Sequence, residues 1–417
     1  MNEPKVYRYR WVVLVIYMYL TALTQALWLN FAAIDTFIEK QLGITAMQVG
    51  WLTMIFLLIH IIISIPVGIF IDRKGLRITI GVGAVLVGFF SLVRMINPES
   101  YLMLCIAQFG MGIGTPFLVN SVTKVAVTWF PENEEATAVS LGTLALFIGM
   151  LIGLGLTPLL TNAFGYHTML LTFCIMGIVG VVLFFVFVKN QPPTSPRKET
   201  IVPQTTDLSL LHGLKHILKY RDFVIISIIY FIGLGALNGL ITWLEKILVE
   251  YHHIAFANVG YVSGALILGG MIGCVAMPIL SDKLMVRRPF LLIGIGLGTL
   301  ATGFMLFPAG FKTSFANIFL AGFFLISAAP ILLTLSVEYT GEKYAGISVA
   351  WLMLVGNIFT LGIVPLMDKI RSSTGNFFWS ILLVVVVLIV AFVLSILIRE
   401  PHIGTITSTV KIESEPQ

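Results

Sequence analysis

Long apolar stretches separated by short polar connections run through almost the whole chain. Most contain about 20 residues with few charges, the length that an α-helix needs to cross the hydrocarbon of a bilayer. A membrane β-barrel would instead show segments of about ten residues with alternating hydrophobicity. The pattern therefore predicts an all-α integral membrane protein with twelve spans, at residues 11–36, 48–71, 78–96, 101–128, 137–162, 167–188, 222–249, 257–280, 290–308, 313–337, 345–367 and 376–398.

A polar segment interrupts the apolar pattern near the middle of the chain. Residues 189–221 include the stretch QPPTSPRKET, whose Pro, Ser and charged residues cannot form a core. This predicts a cytoplasmic linker between an N-terminal six-helix half, residues 1–188, and a C-terminal six-helix half, residues 222–400. The polar end of the chain, residues 401–417, is predicted to be a disordered cytoplasmic tail.

Three short stretches of the first half recur in the second at nearly the same spacing. IDRKGLR follows the second span as SDKLMVRR follows the eighth, and Asp282 comes 210 positions after Asp72. ALWLN from Ala26 and ALNGL from Ala236 are also 210 positions apart, and TPLL in the fifth span precedes VPLM in the eleventh by 207. Many transporters are built from internal repeats of this kind, whereas a channel needs no such duplication.

The composition agrees with a chain that lies mostly in lipid. Of its 417 residues 58% are hydrophobic and 11% are charged, whereas soluble proteins have about 25% charged residues. With the N-terminus placed inside, nineteen of the 25 Lys and Arg residues are cytoplasmic, and the six others are Lys40, Arg94, Lys246, Lys312, Lys369 and Arg371. This bias predicts cytoplasmic termini and explains the net charge of +5 without a nucleic-acid partner. The first apolar run is too long for a cleavable signal peptide.

The residues that catalysis or metal binding would require are missing from the pattern. Cys105, Cys174 and Cys274 lie inside predicted spans without metal-ligand spacing, so we expect free buried thiols. There are no paired carboxylates, no zinc-ligand spacing and no nucleophile elbow. We therefore expect neither an enzyme nor a bound metal or cofactor.

A cluster of charges follows the second span in the sequence GIFIDRKGLR, residues 68–77. It resembles the signature of the major facilitator superfamily through Gly68, Asp72, Arg73, Gly75 and Arg77, and Leu76 departs from the pattern. The resemblance implies the twelve-helix major facilitator fold and a gating role for these residues, which join the two halves at the cytoplasmic side in one state. Asp282 is assigned the same role in the second half. Alternatively, these charges only set the orientation of the chain in the membrane, although that orientation does not require an Asp between two glycines.

Several blocks resemble one family within that superfamily more closely. ALWLNFAAID, VGWLTMIF, VTWFPENEEATA and VGNIF are similar to stretches of the feline leukaemia virus subgroup C receptor family, transporters linked to haem, choline and ethanolamine. The resemblance implies a central site for a quaternary amine in which Trp28 takes the position of a Trp and Asn357 that of a Gln. Thr115 stands where the family has a second Gln, so that contact is weakened or lost. The alternative for Trp28 is packing or anchoring at a membrane interface.

Polar residues in the middle of spans form a second set of candidates, because they are costly in hydrocarbon and usually face a cavity or a neighbouring helix. This set predicts a substrate-binding pathway lined by Gln25, Asn30, Thr115, Asn238, Thr242 and Asn357. The alternative is that each forms only an interhelical hydrogen bond, which contributes about 0.6 kcal/mol.

The charges within the spans are expected at helix ends and not at the centre. Asp35, Arg94, Glu245 and Lys246 are placed near the outer ends. Gln108 stands where many proton-coupled members of the superfamily have an Arg, so proton coupling loses a usual carrier. His60 titrates near neutral pH, but we favour a neutral His packed between helices.

Two glycines in the fifth span are spaced for close helix packing. Gly149 and Gly153 lie four residues apart in GMLIGLGLTP, and such spacing lets helices approach closely. We expect them to form a moving interface against the second half.

Taken together, the patterns predict a multi-pass carrier of the cell membrane, the inner membrane in a bacterium. Its partners would be the lipid bilayer and a small organic solute, moved by a monomer through alternating access. The family resemblance implies that this solute is a choline-like cation or a haem-related compound. One alternative is a proton-coupled exporter of amphipathic compounds or organic anions, and another is a membrane receptor or sensor that transports nothing.

Overall fold

The computed structural model describes residues 6–194, 210–284, 286–341 and 344–400, and within these ranges the secondary structure is helical without strands. The sixteen α-helices are α1 Arg10–Leu29, α2 Asp35–Leu42, α3 Ala46–Lys74, α4 Leu76–Ile96, α5 Tyr101–Val119, α6 Val122–Trp129, α7 Glu132–Leu151, α8 Thr157–Phe164, α9 Tyr166–Phe187, α10 Leu210–Ile217, α11 Arg221–Lys246, α12 Phe256–Leu284, α13 Arg288–Phe304, α14 Phe311–Thr340, α15 Ala345–Thr374 and α16 Phe378–Ile396. A 3-10 turn, Ala32–Ile34, joins α1 to α2.

The predicted all-α membrane fold is confirmed. In the described part of the chain, eleven helical stretches are long and apolar enough to cross a bilayer, and the 17-residue helix Arg288–Phe304 is a shorter twelfth apolar helix. Each of the twelve predicted spans overlaps one of these helical stretches, and the ends differ by up to seven residues. Apolar length therefore identified every crossing.

Local sequence signals set where several helices begin and end. Thr45 and Gln48 form a capping box at the start of α3, each side chain bonding the other residue's backbone N–H. Gly75 separates α3 from α4 with φ +77°, a conformation that glycine adopts readily because it has no Cβ. Gly43 ends α2 in the left-handed conformation. The charge-rich motif around Gly75 is thus a tight helix–helix connection.

The helices pack as two groups. In the first group, α1 to α9, the main contacts join α4 to α5, α3 to α5 and α1 to α7. In the second group, α11 to α16, they join α12 to α14, α11 to α15 and α13 to α14. The domain boundaries given above stay a prediction. Residues 195–209 of the predicted linker and the predicted tail, 401–417, lie outside the described residues.

The last part of the predicted linker forms the short helix α10. The His216 ring stacks on Tyr344 at a centroid distance of 4.4 Å. Gly213 lies so close to the Ile347 side chain that a Cβ on this glycine would be 2.3 Å from Ile347 Cδ1. This end of the segment is therefore packed against the second group and is not an unstructured connection.

The two ends of the helix bundle carry different charges. The basic end contains the helix connections with Arg73, Lys74, Arg77, Lys283 and Arg287. We call the opposite end the acidic end after Asp35, Glu39, Glu245, Glu250 and Asp368, and it also contains Lys40, Lys246, Lys312, Lys369 and Arg371.

Close backbone packing joins the two groups near the acidic end. A π-helical turn, Ile152–Leu156, follows α7 and brings Gly155 against Gly260 of α12, where a Cβ on Gly260 would be 2.3 Å from the Gly155 carbonyl oxygen. The prediction that Gly149 and Gly153 face the second half is wrong. They pack on the backbone of Ala22 and Ala26 in α1, inside the first group. Spacing alone predicted a close contact but not which helix makes it.

Candidate functional site

Trp28 lies on α1 and faces α3. Its indole N–H donates to the Thr53 carbonyl oxygen at 3.2 Å, and its ring stacks with Phe56 at a centroid distance of 6.4 Å and an interplanar angle of 22°. The residue is 8% exposed. The ring is therefore held in a fixed orientation by α3, and a small part of its surface is exposed and can contact a ligand.

Asn30 and Gln25, on the same segment, have unused hydrogen-bonding capacity. Asn30 is fully buried, and neither its amide nitrogen nor its amide oxygen has a partner among the described residues. Gln25 is nearly buried and reaches only the Thr24 hydroxyl at 3.5 Å, the outer limit for a hydrogen bond. A buried polar group without a partner costs about 1–3 kcal/mol, so these amides favour a bound polar group or water.

Thr115 is placed differently from the two amides. Its hydroxyl donates to the Met111 carbonyl oxygen at 2.9 Å within its own helix, and the residue is 1% exposed. It does not replace the side-chain amide that the resemblance would put here.

The candidates of the second group bond mainly within that group. The Asn238 amide donates to the Thr360 hydroxyl at 3.1 Å, and the Thr242 hydroxyl donates to the Asn238 carbonyl oxygen at 2.8 Å. Asn357 is half-buried, and its amide donates to Met353 within α15 at 2.8 Å. Trp28 and Asn357 are both described, and no hydrogen bond joins them. A ligand that contacts both side chains would be needed to link them.

A charged cluster closes the acidic end, and we call it the latch: Asp35, Glu39, Glu245, Lys246, Glu250, Asp368 and Arg371. The Lys246 side chain is fully buried. Its ammonium group lies 3.7 Å from Asp35 and 3.7 Å from Glu250, and it also pairs with Glu39. Because Asp35 and Glu39 belong to the first group, Lys246 holds the two groups together by charge.

Glu245 adds hydrogen bonds to the same junction. Its carboxylate accepts from the Thr36 backbone N–H at 2.9 Å and from the Thr36 hydroxyl at 2.8 Å. Among pairs in which both residues are described, all hydrogen bonds and ion pairs between the two groups lie at the acidic end. The acidic end is therefore closed by polar contacts between the two groups.

Burial changes the protonation of this cluster. Asp35, which lies in the connection between α1 and α3, is 1% exposed. Loss of hydration raises the pKa of its carboxyl well above the ordinary value, against the opposing effect of the Lys246 ammonium. Its neighbours Glu245, Glu39 and Glu250 raise that pKa further. Burial therefore disfavours the charged form of this carboxyl, and the Lys246 ammonium favours it.

The predicted gating residues lie at the basic end. Arg73 and Arg77 are exposed, and the Arg77 backbone N–H donates to the Asn190 side chain at 3.3 Å. Gly68 is half-buried, and a Cβ on it would meet nothing within 4 Å. The side chain of Asp72 lies outside the described part of the structure.

Asp282, the gating candidate of the second group, forms an ion pair with Arg287. The Arg287 guanidinium also bonds the Glu338 carboxylate at 3.2 Å. In the first group, Arg10 binds Glu134 in bidentate fashion at 2.9–3.0 Å. Each group thus has its own ion pairs at the basic end.

Three latch residues, Asp35, Glu245 and Lys246, were predicted at outer helix ends, but their contact with one another was not predicted. A usable signal was present, because Asp35 and Glu245 are 210 positions apart in the sequence, the same separation as that of Asp72 and Asp282. Residues related by an internal repeat take equivalent places in the two groups. The repeat offset was therefore evidence that two carboxyls flank the junction.

Comparisons with known proteins agree with this architecture. The Major Facilitator Superfamily model matches residues 13–365. The human choline/ethanolamine transporter FLVCR2 is 23% identical over 416 residues, which covers 95% of this chain and 79% of that protein. An uncharacterized MFS-type transporter of Caenorhabditis elegans is 27% identical over 416 residues, with 95% and 70% covered.

Solved structures show the same fold at low sequence identity. A bacterial homologue of the human lysosomal transporter Spinster, inward-facing and unoccupied, has a TM-score of 0.77 at 15% identity, with 94% of this chain and 98% of that chain covered. The fucose:proton symporter FucP of Escherichia coli has a TM-score of 0.60 at 16% identity, with 94% and 100% covered.

Proposed function

Because the chain belongs to the major facilitator superfamily, we propose that it is a secondary carrier that moves a choline-like organic cation by alternating access. The observation that carries this proposal is the closed junction: at the acidic end, Glu245 and Lys246 of the second group bond Thr36, Asp35 and Glu39 of the first group. A carrier needs such a closure at one end, which must open when the other end closes. Membership of the superfamily makes transport the expected function, and the identity of the solute is our proposal.

Two observations support a cationic solute of the choline type. The relatives that share most of the chain include transporters named for choline and ethanolamine. Trp28, stacked with Phe56, offers an aromatic face of the kind that binds quaternary ammonium groups. Gln25 and Asn30 supply nearby polar groups with free hydrogen-bonding capacity.

We place the basic end in the cytoplasm and the acidic end outside. The distribution of Lys and Arg supports this orientation, since cytoplasmic connections carry an excess of these residues. Both termini then lie in the cytoplasm, and the structure corresponds to a state closed toward the outside. The gating role of Gly68, Asp72, Arg73, Gly75, Arg77 and Asp282 is part of the same proposal.

The choline site predicts a graded effect at Trp28. We expect Trp28→Ala to weaken binding of choline by about 0.5–2 kcal/mol, and Trp28→Phe to cost less because phenylalanine keeps part of the ring quadrupole. Asn357→Ala should weaken binding by about 1 kcal/mol through loss of a hydrogen bond. Isothermal titration of purified protein with choline measures all three variants.

The double variant distinguishes two side chains that contact the same ligand molecule from two side chains that affect binding independently. If both side chains contact one choline molecule, Trp28→Ala and Asn357→Ala together will depart from additivity. Trp129, buried in α6 with its ring against Tyr9, provides the matched control as Trp129→Phe, which should bind choline like the wild type. Wild-type affinity for both Trp28 variants would show that Trp28 only packs against α3.

Proton coupling is the second candidate mechanism, and the buried carboxyls of Asp35 and Glu245 favour it. We nevertheless expect facilitated diffusion, because these groups lie in the latch and Gln108 replaces the usual basic residue of proton-coupled members. In proteoliposomes, a pH gradient alone should not drive choline above its equilibrium concentration. Uphill uptake that a protonophore abolishes would contradict this expectation, and its loss in Asp35→Asn would assign the proton to the latch.

A further inference from the structure

A single guanidinium group is buried inside the first group without a carboxylate. Arg94, in the last turn of α4, is 1% exposed. Its Nη2 atom lies 3.4 Å from Gln108 Oε1 and 3.3 Å from Met111 Sδ, both of which are weak acceptor contacts. Its Nε and Nη1 atoms have no partner among the described residues. Most of the donor capacity of this cation is therefore unused.

The surroundings supply no compensating negative charge. In the described part of the chain, no Asp or Glu forms an ion pair with Arg94. The titratable groups that interact with it are Tyr166 and Cys174, which are ordinarily neutral. The Phe31 ring lies 5.1 Å from the guanidinium carbon and contributes only a cation–π contact. A buried cation is normally paired, so this charge lacks its expected partner.

Further unused donors occur beside the guanidinium. Gln108, fully buried, presents its carbonyl oxygen to Arg94, and its amide Nε2 has no partner among the described residues. An anion accepts from such donors, whereas a metal cation would be repelled by the guanidinium.

We propose that Arg94 and Gln108 form a binding site for a small inorganic anion of the chloride class. The apolar boundary of Phe31 and Met111 and the complete burial of both polar residues favour an ion of halide size and disfavour a bulky organic anion. The guanidinium supplies the charge and its Nε and Nη1 donors, and the Gln108 amide supplies a further donor. This inference does not depend on which organic solute the carrier moves.

Anion-dependent thermal stability of the purified protein tests this site. The melting temperature is measured in sodium chloride, in sodium bromide and in sodium gluconate at equal concentration, so that ionic strength is constant. We expect chloride and bromide to raise the melting temperature by about 2–4 °C relative to gluconate. Arg94→Gln should remove this difference, and Gln108→Leu should reduce it while keeping the charge.

The control variant is Lys312→Gln, which removes one exposed cation and should keep the full chloride effect. If Arg94→Gln fails to fold, the wild type decides the question by itself, because bromide bound at Arg94 gives an anomalous diffraction peak. A melting temperature that is the same in chloride, bromide and gluconate would overturn the proposal and indicate water at these donors. Equal chloride effects in the wild type and in folded Arg94→Gln would also overturn it.

Discussion

Replacement of Lys246 by methionine is expected to open the acidic end. Methionine keeps the apolar length of the side chain but leaves Asp35, Glu39 and Glu250 without the buried cation that joins them. Removal of one partner of a buried ion pair costs about 3–5 kcal/mol. Since the carboxylates regain water when the groups separate, this cost falls on the closed state, and its population relative to the open state should drop by about two to four orders of magnitude.

The distance between the two groups at the acidic end reports this change directly. Lys40 and Lys369 are exposed at that end in the first and second group, and spin labels on cysteines at these positions can be measured by electron–electron double resonance. Lys246→Met should convert a short distance into a longer one. Lys312→Met, which removes an exposed lysine on the same side, should leave the distance unchanged. An unchanged distance in Lys246→Met would show that the latch does not hold the groups together.

A methyl group at Gly260 is expected to prevent full closure at the acidic end, and one at Gly155 is not. The two glycines face one another, but a Cβ on Gly260 would lie 2.3 Å from the Gly155 carbonyl oxygen, and a Cβ on Gly155 would lie 3.5 Å from the Gly260 carbonyl oxygen. The first distance requires backbone movement, and the second is an ordinary contact. Overpacking of this kind costs about 1–3 kcal/mol.

Gly260→Ala and Gly155→Ala are matched controls for each other, since both variants add one methyl group to the same junction. With the labels at Lys40 and Lys369, Gly260→Ala should increase the population of the long distance, and Gly155→Ala should resemble the wild type. If both variants showed the short label distance of the closed acidic end, helix α12 would be free to shift, and this contact would not limit closure.

The sequence predicted the positions of the helices more completely than it predicted which helices contact one another. Hydrophobic length is a property of each segment alone, so all twelve spans could be located from it. The direction in which a helix face points depends on packing. Gly149 and Gly153 turn toward α1, and the π-helical turn that follows them carries Gly155 to the second group instead. Residue spacing contains no information about such a turn.

The site was predictable only in part, for the same reason. Trp28, Asn30 and Gln25 were recognised as costly polar or aromatic positions in a span, and their burial agrees with that expectation. The latch was missed because its members are about 200 residues apart in sequence and meet only when the two groups are placed face to face. The charge on Arg94 was placed near a helix end, but its complete burial depends on packing against α5 and against Phe31 in the connection that follows α1.

Counterflow in proteoliposomes is the most direct test of the central claim that this chain is a carrier for choline-like cations. Vesicles that contain the purified protein are loaded with unlabelled choline and diluted into medium with a trace of labelled choline. A carrier that exposes its site to one side at a time should produce a transient accumulation of label above equilibrium, absent from vesicles without protein. A receptor would give no uptake, and a channel would give uptake without this overshoot. The absence of any overshoot for choline and for ethanolamine, with correctly folded protein in the vesicles, would contradict the account.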